Sequence, residues 1–205
     1  MASRSTSEWL PQVLIESALI VVSILVALAL DEWREERQDA EVVQQSLENF
    51  LIEIDQNKVR VEDAAPFNQG LHSVLTSYYM DDDLESVDEF VDMVESYSPA
   101  VLQSTAWDTA LATGTLSKMD YNLVRVLSLT YGVQSRYQTT TVSGMNNLIS
   151  PLNLSADRLR LALYNSMRYL EGVTTLEQEL ADTYGEAAPI IEQGLVEMRT
   201  AQGSD

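Results

Sequence analysis

The sequence predicts an all-α protein, in which a single N-terminal transmembrane helix continues into an antiparallel helical bundle. The run from Val13 to Leu30 is eighteen residues long and carries one charged residue, Glu16. It is therefore long and apolar enough to cross a bilayer as one helix. No glycine or proline occurs between Pro11 and Pro66. Beyond the run, apolar residues recur every three or four positions, and no alternating apolar–polar stretch is bounded by hairpin turns.

The apolar run divides the chain into four predicted segments. These are a short cytoplasmic N-terminus over 1–11, the transmembrane anchor over 12–31, a helical-bundle domain over 32–200 and a frayed tail over 201–205. Cleavage as a signal peptide is the alternative, because Ala27-Leu28-Ala29 resembles a cleavage site. We favour an uncleaved anchor because the run is longer than a usual signal-peptide core and only one basic residue precedes it.

Two tryptophans, Trp9 and Trp33, bracket the run and are the predicted interface anchors. Their separation of 24 residues corresponds to about 36 Å along a helix. A hydrocarbon core is about 30 Å thick. Both indoles can therefore lie at the membrane–water interfaces, where tryptophan is enriched.

One face of the anchor differs from the rest in carrying small and ionisable residues. Spacings of 4, 3, 4 and 4 place five residues on this face, which we call the contact stripe: Glu16, Ile20, Ser23, Ala27 and Asp31. Small residues four apart permit close helix approach, and an ionisable group within an apolar run usually faces protein or water. The contact stripe therefore predicts contact with a second transmembrane helix. The alternative is that Glu16 reaches the headgroups and the small residues are incidental.

The composition excludes several classes of function. The formal net charge is -20 and the pI is about 4.1, so the surface repels nucleic acid. The chain has no cysteine and one histidine, His72, which excludes disulfides, thiolate metal sites and histidine clusters. We expect no cofactor and no metal ion.

The apolar pattern predicts a series of helices after the membrane. The anchor helix is expected to continue to about Asp63 along a heptad-like seam of Val43, Leu47, Phe50, Ile54 and Val61. A break at 64–66 and a helix over about 67–80 are expected next. Capping patterns predict the later helix starts, at 86–89, 105–108, 120, 155 and 174–177. Ser143-Gly144 is expected to interrupt one of these helices and Gly172 to end another.

Two stretches, IESALIVVSILVALALDEWREER and STAWDTALATGTLSKMDYNLVRVLSLTYGVQSRY, together resemble an uncharacterised family of bacterial single-span membrane proteins. The matching positions are Glu16, Trp33, Glu36, Trp107, Asp108 and Gly114, whereas Ser23 stands where the family often has glycine. The resemblance implies a cytoplasmic N-terminus, a periplasmic helical domain and no known activity. The count of basic residues slightly favours the opposite orientation. We follow the resemblance.

Three groups of residues are candidates for chemistry, and each has a simpler structural interpretation. His72 has no predicted catalytic partner and is expected to be structural or exposed. The acidic cluster over 81–89 departs from a calcium-binding loop and is expected to be a solvated turn. The aromatic residues Tyr78, Tyr79, Tyr97, Trp107, Tyr121, Tyr131 and Tyr137 are expected to be core rather than a ligand pocket. No nucleophile-elbow, P-loop or dinucleotide motif occurs, so we predict no catalytic residue.

These features favour a non-enzymatic, membrane-anchored interaction protein of the bacterial inner membrane, an accessory or stabilising subunit of a larger complex. Its expected partners are the lipid bilayer and other membrane subunits, or a second copy of the chain, bound through the anchor helix. The alternative is a periplasmic sensor or small-ligand-binding helical domain that acts through a partner.

Overall fold

The structure is a computed structural model that describes residues 9–81, 86–148 and 156–202. In these ranges the chain is mostly helical and contains no strand. The α-helices are α1 (Trp9–Asp81), α2 (Val87–Glu95), α3 (Thr105–Ala112), α4 (Tyr121–Leu148) and α5 (Leu159–Gln202). Two 3₁₀ helices, Thr115–Lys118 and Ala156–Arg158, precede α4 and α5. The prediction of an all-α protein is confirmed.

The chain forms two compact units, Met1–Val43 and Gln44–Asp205. In the first unit, every large apolar side chain from Val13 to Leu30 is exposed. The second unit has a core built from apolar side chains of all five helices. Four of the five predicted seam residues lie in this unit, and each is no more than 1% exposed: Leu47, Phe50, Ile54 and Val61.

Helix α1 does not end near Asp63, so the predicted break at 64–66 was wrong. Pro66 lies inside the helix, where it lacks the N–H that would bond the carbonyl of Glu62. An interior proline costs about 3 kcal/mol. Burial of Val61 and Leu71 on either side holds the helix together, because two buried aliphatic side chains contribute about 1.5–3 kcal/mol each.

Helix α5 likewise continues through the two signals that were expected to divide it. Gly172 did not end a helix, and the 174–177 capping pattern did not start one. Instead, the Thr174 and Thr175 hydroxyls donate to the carbonyl of Glu171 in the preceding turn. Val173 is fully buried, so tertiary packing maintains the helix across a residue of low helix propensity.

Helix α4 also extends further than predicted, passing Ser143-Gly144 and ending at Leu148. A Cβ atom at Gly144 would lie 1.8 Å from Cε2 of Tyr169. The ring of Tyr169 therefore occupies the space that a side chain at this position would need. Gly144 is present because α4 and α5 approach closely here, rather than because the helix ends.

Two predicted helix caps are confirmed. The Ser86 hydroxyl accepts the backbone N–H of Glu89 at 3.1 Å and caps α2. The Asp120 carboxylate accepts the N–H of Asn122 at 2.8 Å and caps α4. Gly114, with φ of 70°, adopts the left-handed conformation between α3 and the first 3₁₀ helix. The predicted start at Ser155 lies outside the described residues.

Candidate functional site

The exposed apolar run in the first unit is the first candidate site. It belongs to a helix that is long and apolar enough to cross a membrane, and none of its most apolar eighteen-residue window is buried. Contiguous exposed apolar surface of this kind marks a membrane or partner contact in a folded protein.

The contact stripe lies on this exposed helix, and all five of its residues are exposed. The Ser23 hydroxyl donates to the carbonyl of Leu19 at 2.7 Å. This bond satisfies the hydroxyl within its own helix, which is the usual state of serine in a transmembrane helix. Ser23 therefore offers a small surface without an unpaired donor.

Trp33 lies beyond the apolar run and contacts the guanidinium of Arg37, which sits 4.6 Å from the centre of a tryptophan ring. Aromatic and basic residues of this kind are enriched where a helix leaves a bilayer. The second predicted interface anchor, Trp9, is the first residue of α1, and its side chain lies outside the described part of the chain.

The second unit contains a buried hydrogen-bond network around the non-helical segment between α2 and α3. Asn57 and Gln134 are fully buried at its centre. The Gln134 amide N–H groups donate to the carbonyl of Gln103 at 2.7 Å and to the Ser104 hydroxyl at 2.9 Å. Its carbonyl accepts from Asn57 at 3.1 Å and from the Tyr184 hydroxyl at 2.7 Å. The network therefore ties this segment to helices α1, α4 and α5.

Glu53 connects the network to the start of α3. One of its carboxylate oxygens accepts the N–H of Ala106 at 3.0 Å, and the other accepts the Tyr131 hydroxyl at 2.7 Å. Helix α3 begins at Thr105 as predicted, but Thr105 does not cap it. The cap comes from Glu53 on α1, because the Ser104 hydroxyl at the N-cap position bonds Gln134 instead. A carboxylate at a helix N-terminus is favourable both as a hydrogen-bond acceptor and as a charge.

A second buried carboxylate, Glu177, is 1% exposed. Its Oε1 accepts from the Asn68 amide at 2.7 Å and from the Tyr137 hydroxyl at 3.1 Å. Its Oε2 and the amide oxygen of Asn68 are buried without a hydrogen-bond partner in the described part of the chain. Burial raises the pKa of Glu177, and the two hydrogen bonds oppose that shift. Buried polar atoms without partners are rare in folded proteins.

The aromatic residues divide between core and surface. Tyr97, Tyr131 and Tyr137 are buried, whereas Tyr121 is 77% exposed. Trp107 stacks on Tyr131 of α4 with ring centres 5.3 Å apart. Burial raises the pKa of the three buried tyrosines above the ordinary phenol value.

The other candidate residues are dispersed. His72 is half-buried on α1, and Asp88 and Glu89 occupy the first turn of α2. Positions 82–85 of the acidic cluster lie outside the described residues. Within the described ranges, no three His, Asp or Glu side chains are grouped so that they could hold a metal ion.

The sequence reasoning missed the buried polar residues Glu53, Asn57, Gln134 and Glu177. One signal could have found Asn57. It lies three residues after Ile54 and four before Val61, so it occupies the vacant position in the heptad-like seam. A polar residue at a seam position is a candidate for a buried, specifically paired group.

Comparisons with protein families, curated proteins and solved structures found no match for this chain.

Proposed function

We propose that the chain is a non-enzymatic, membrane-anchored interaction protein, an accessory or stabilising subunit of a larger complex in the bacterial inner membrane. The observation that supports this proposal is the exposed apolar run of α1 with its contact stripe. The run provides the anchor, and the stripe provides a surface that differs from a purely lipid-facing helix.

Three residues of the contact stripe favour a second helix: Glu16, Ser23 and Ala27. An ionisable side chain costs about 2.5–3.5 kcal/mol at the bilayer centre on insertion scales, and Glu16, three residues after the start of the run, is subject to a smaller cost of the same sign. Contact with a second helix or with water lowers that cost. Ser23 and Ala27 lie one turn apart on the same face, where small side chains allow two helices to approach closely. The partner that we propose is a transmembrane helix of another subunit.

In the proposed topology, the N-terminus is cytoplasmic and the helical domain is periplasmic, as the family resemblance implies. The proposed domain is a bundle in which α5 runs antiparallel to α1. The order of contacts supports this arrangement, since Glu48 pairs with Arg199 at 2.9 Å and Asn68 bonds Glu177. Residue numbers thus rise along α1 while they fall along α5.

The non-enzymatic assignment is supported by the way in which the buried polar groups are used. Glu53, Asn57 and Gln134 hold the segment between α2 and α3 and the start of α3. A catalytic carboxylate or amide needs a reacting group within hydrogen-bond reach. The groups within hydrogen-bond reach of Glu53, Asn57 and Gln134 are instead backbone and side-chain groups of the fold.

The test is purification of the full chain in mild detergent, with identification of the proteins that accompany it. The double variant Glu16→Leu, Ser23→Leu removes the polar and small features of the contact stripe. We expect it to lose the partner subunit. The control variant Ala18→Leu, Ala29→Leu adds apolar bulk to the opposite helix face and should keep the partner. Unchanged co-purification with the stripe variant would contradict the proposal, as would recovery of the chain alone, as a monomer or with copies of itself.

Orientation is tested by a separate experiment. Because the chain has no cysteine, a single introduced cysteine can report which side of the membrane it lies on. A single cysteine introduced as Glu192→Cys on α5 should react with a membrane-impermeant maleimide in spheroplasts. A cysteine introduced as Thr6→Cys should react only after the membrane is opened. The reverse pattern would place the helical domain in the cytoplasm.

A further inference from the structure

We propose that the groove between α1 and α5 beside Glu177 is a binding site for a small organic cation of the alkylamine class. The groove has a volume of about 600 Å³, which is in the size range of small-molecule sites. Residues 58–69 of α1 form one wall and residues 177–186 of α5 form the other. This inference concerns the helical domain and is independent of the partner of the anchor.

Small side chains create the space between the two helices. Ala65 and Pro66 line the groove from α1, and Ala181 and Gly185 line it from α5. A Cβ atom at Gly185 would have no heavy atom within 4 Å, so the groove is open at this residue. A side chain introduced there would enter the groove without displacing the backbone.

Two prolines inside the helices, Pro66 and Pro189, each remove one intrahelical hydrogen bond beside the groove. Pro66 has no N–H to bond the carbonyl of Glu62, and Pro189 has none to bond the carbonyl of Gly185. Glu62 and Gly185 both line the groove. Each helix therefore brings to this groove a residue whose carbonyl lacks its usual intrahelical donor.

Glu177 gives the site its specific feature. It lines the groove, is 1% exposed, and has one carboxylate oxygen, Oε2, without a partner in the described structure. Leaving a buried acceptor unpaired costs about 1–3 kcal/mol, and more for a charged group. A ligand that brings an N–H donor to Oε2 recovers that energy.

The charges around the groove favour a positively charged ligand. Three further carboxylates line it, Glu62, Asp182 and Glu186, whereas Lys58 is the basic residue among the lining side chains and lies 3.8 Å from Glu62. A cation is favoured by this surplus of negative charge. A compact ammonium group also carries several N–H donors, which match the carboxylate and carbonyl acceptors.

The experiment is isothermal titration calorimetry of the full chain in detergent with 1,4-diaminobutane. Saturable binding is expected, and 1,4-butanediol, which has the same chain length without charge, should not bind. Glu177→Gln should weaken binding about tenfold or more, because it removes a charge-assisted hydrogen bond. Glu192→Gln, on an exposed part of α5 outside the groove, should leave the affinity unchanged.

A second pair of variants tests the groove itself. Gly185→Leu should abolish binding by filling the groove, and Gly172→Leu, at an equally open position of the same helix, should not affect it. The proposal is overturned if the diamine does not bind. It is also overturned if Glu192→Gln weakens binding as much as Glu177→Gln, which would indicate general attraction to an acidic surface, or if Gly185→Leu binds normally.

Discussion

The side chain of Asn57 forms hydrogen bonds with both the backbone N–H and the backbone carbonyl of Gln103. Its side-chain oxygen accepts the Gln103 N–H at 2.9 Å, and its amide donates to the Gln103 carbonyl at 2.7 Å. A neighbouring β-strand would make the same pair of bonds to an extended residue. A single side chain of α1 thus bonds both backbone groups of one residue in the non-helical segment that leads into α3.

This pairing makes Asn57 the polar residue whose loss should most weaken the second unit. Asn57→Ala leaves the Gln103 N–H without its partner and removes one of the two hydrogen bonds that each of the Gln103 and Gln134 carbonyls accepts. The unpaired N–H costs about 1–3 kcal/mol and each lost hydrogen bond about 0.5–1.5 kcal/mol, so we expect a loss of about 3 kcal/mol in the free energy of unfolding. Urea denaturation followed by tryptophan fluorescence measures it. The control Asn49→Ala, at an exposed site of the same helix, should change stability by less than about 0.5 kcal/mol, and equal losses from the two variants would contradict this role.

Gly144 and Gly132 lie in the same helix and should respond in opposite ways to the same substitution. Gly144→Ala places a Cβ atom against the Tyr169 ring and should destabilise the protein by about 1–3 kcal/mol through overpacking. Gly132 has open space around it, so Gly132→Ala should stabilise the protein by about 0.5–1 kcal/mol through helix propensity. Thermal denaturation distinguishes the two variants. A neutral Gly144→Ala would show that the ring moves aside without cost.

Glu177 should make stability depend on pH in a defined direction. Because its pKa is raised in the folded state by burial, folding binds a proton between the unfolded pKa of about 4.3 and the higher folded value. Glu177 therefore makes its full contribution to the free energy of unfolding below about pH 4.3. That contribution is lost as the pH rises through the folded pKa. Glu177→Gln removes this loss and should become progressively more stable than the wild type across that window. Urea midpoints of both proteins from pH 4 to 8 test this, and a constant difference between them would contradict it.

The apolar run should tolerate no central charge if it crosses a membrane. Val22→Arg should reduce stable membrane insertion, since a central arginine costs about 2.5–3.5 kcal/mol. Val59→Arg makes the same substitution at a similarly exposed position of α1 outside the run and should remain membrane-bound. Alkaline carbonate extraction of membranes measures the difference. Retention of Val22→Arg in the membrane fraction would argue against a spanning helix.

The features predicted correctly from the sequence depend on neighbouring residues. The Ser86 and Asp120 caps bond backbone groups within three residues, and the seam from Val43 to Val61 follows one helix face. The features predicted wrongly depend on distant residues. Nothing near Pro66 or Gly172 indicates that the helix continues, because the packing that maintains it comes from other helices. The cap of α3 was misassigned for the same reason, since Glu53 is 53 positions away from Ala106.

The sequence alone determined the helical class and the long apolar span near the N-terminus, because both follow from composition and periodicity summed over about twenty residues. Only the tertiary structure decided where α1, α4 and α5 end and which polar residues are buried. Asn57 meets Gln134 across 77 positions, and Asn68 meets Glu177 across 109. Such pairs are brought together by the packing of whole helices, so no local pattern in the chain specifies them.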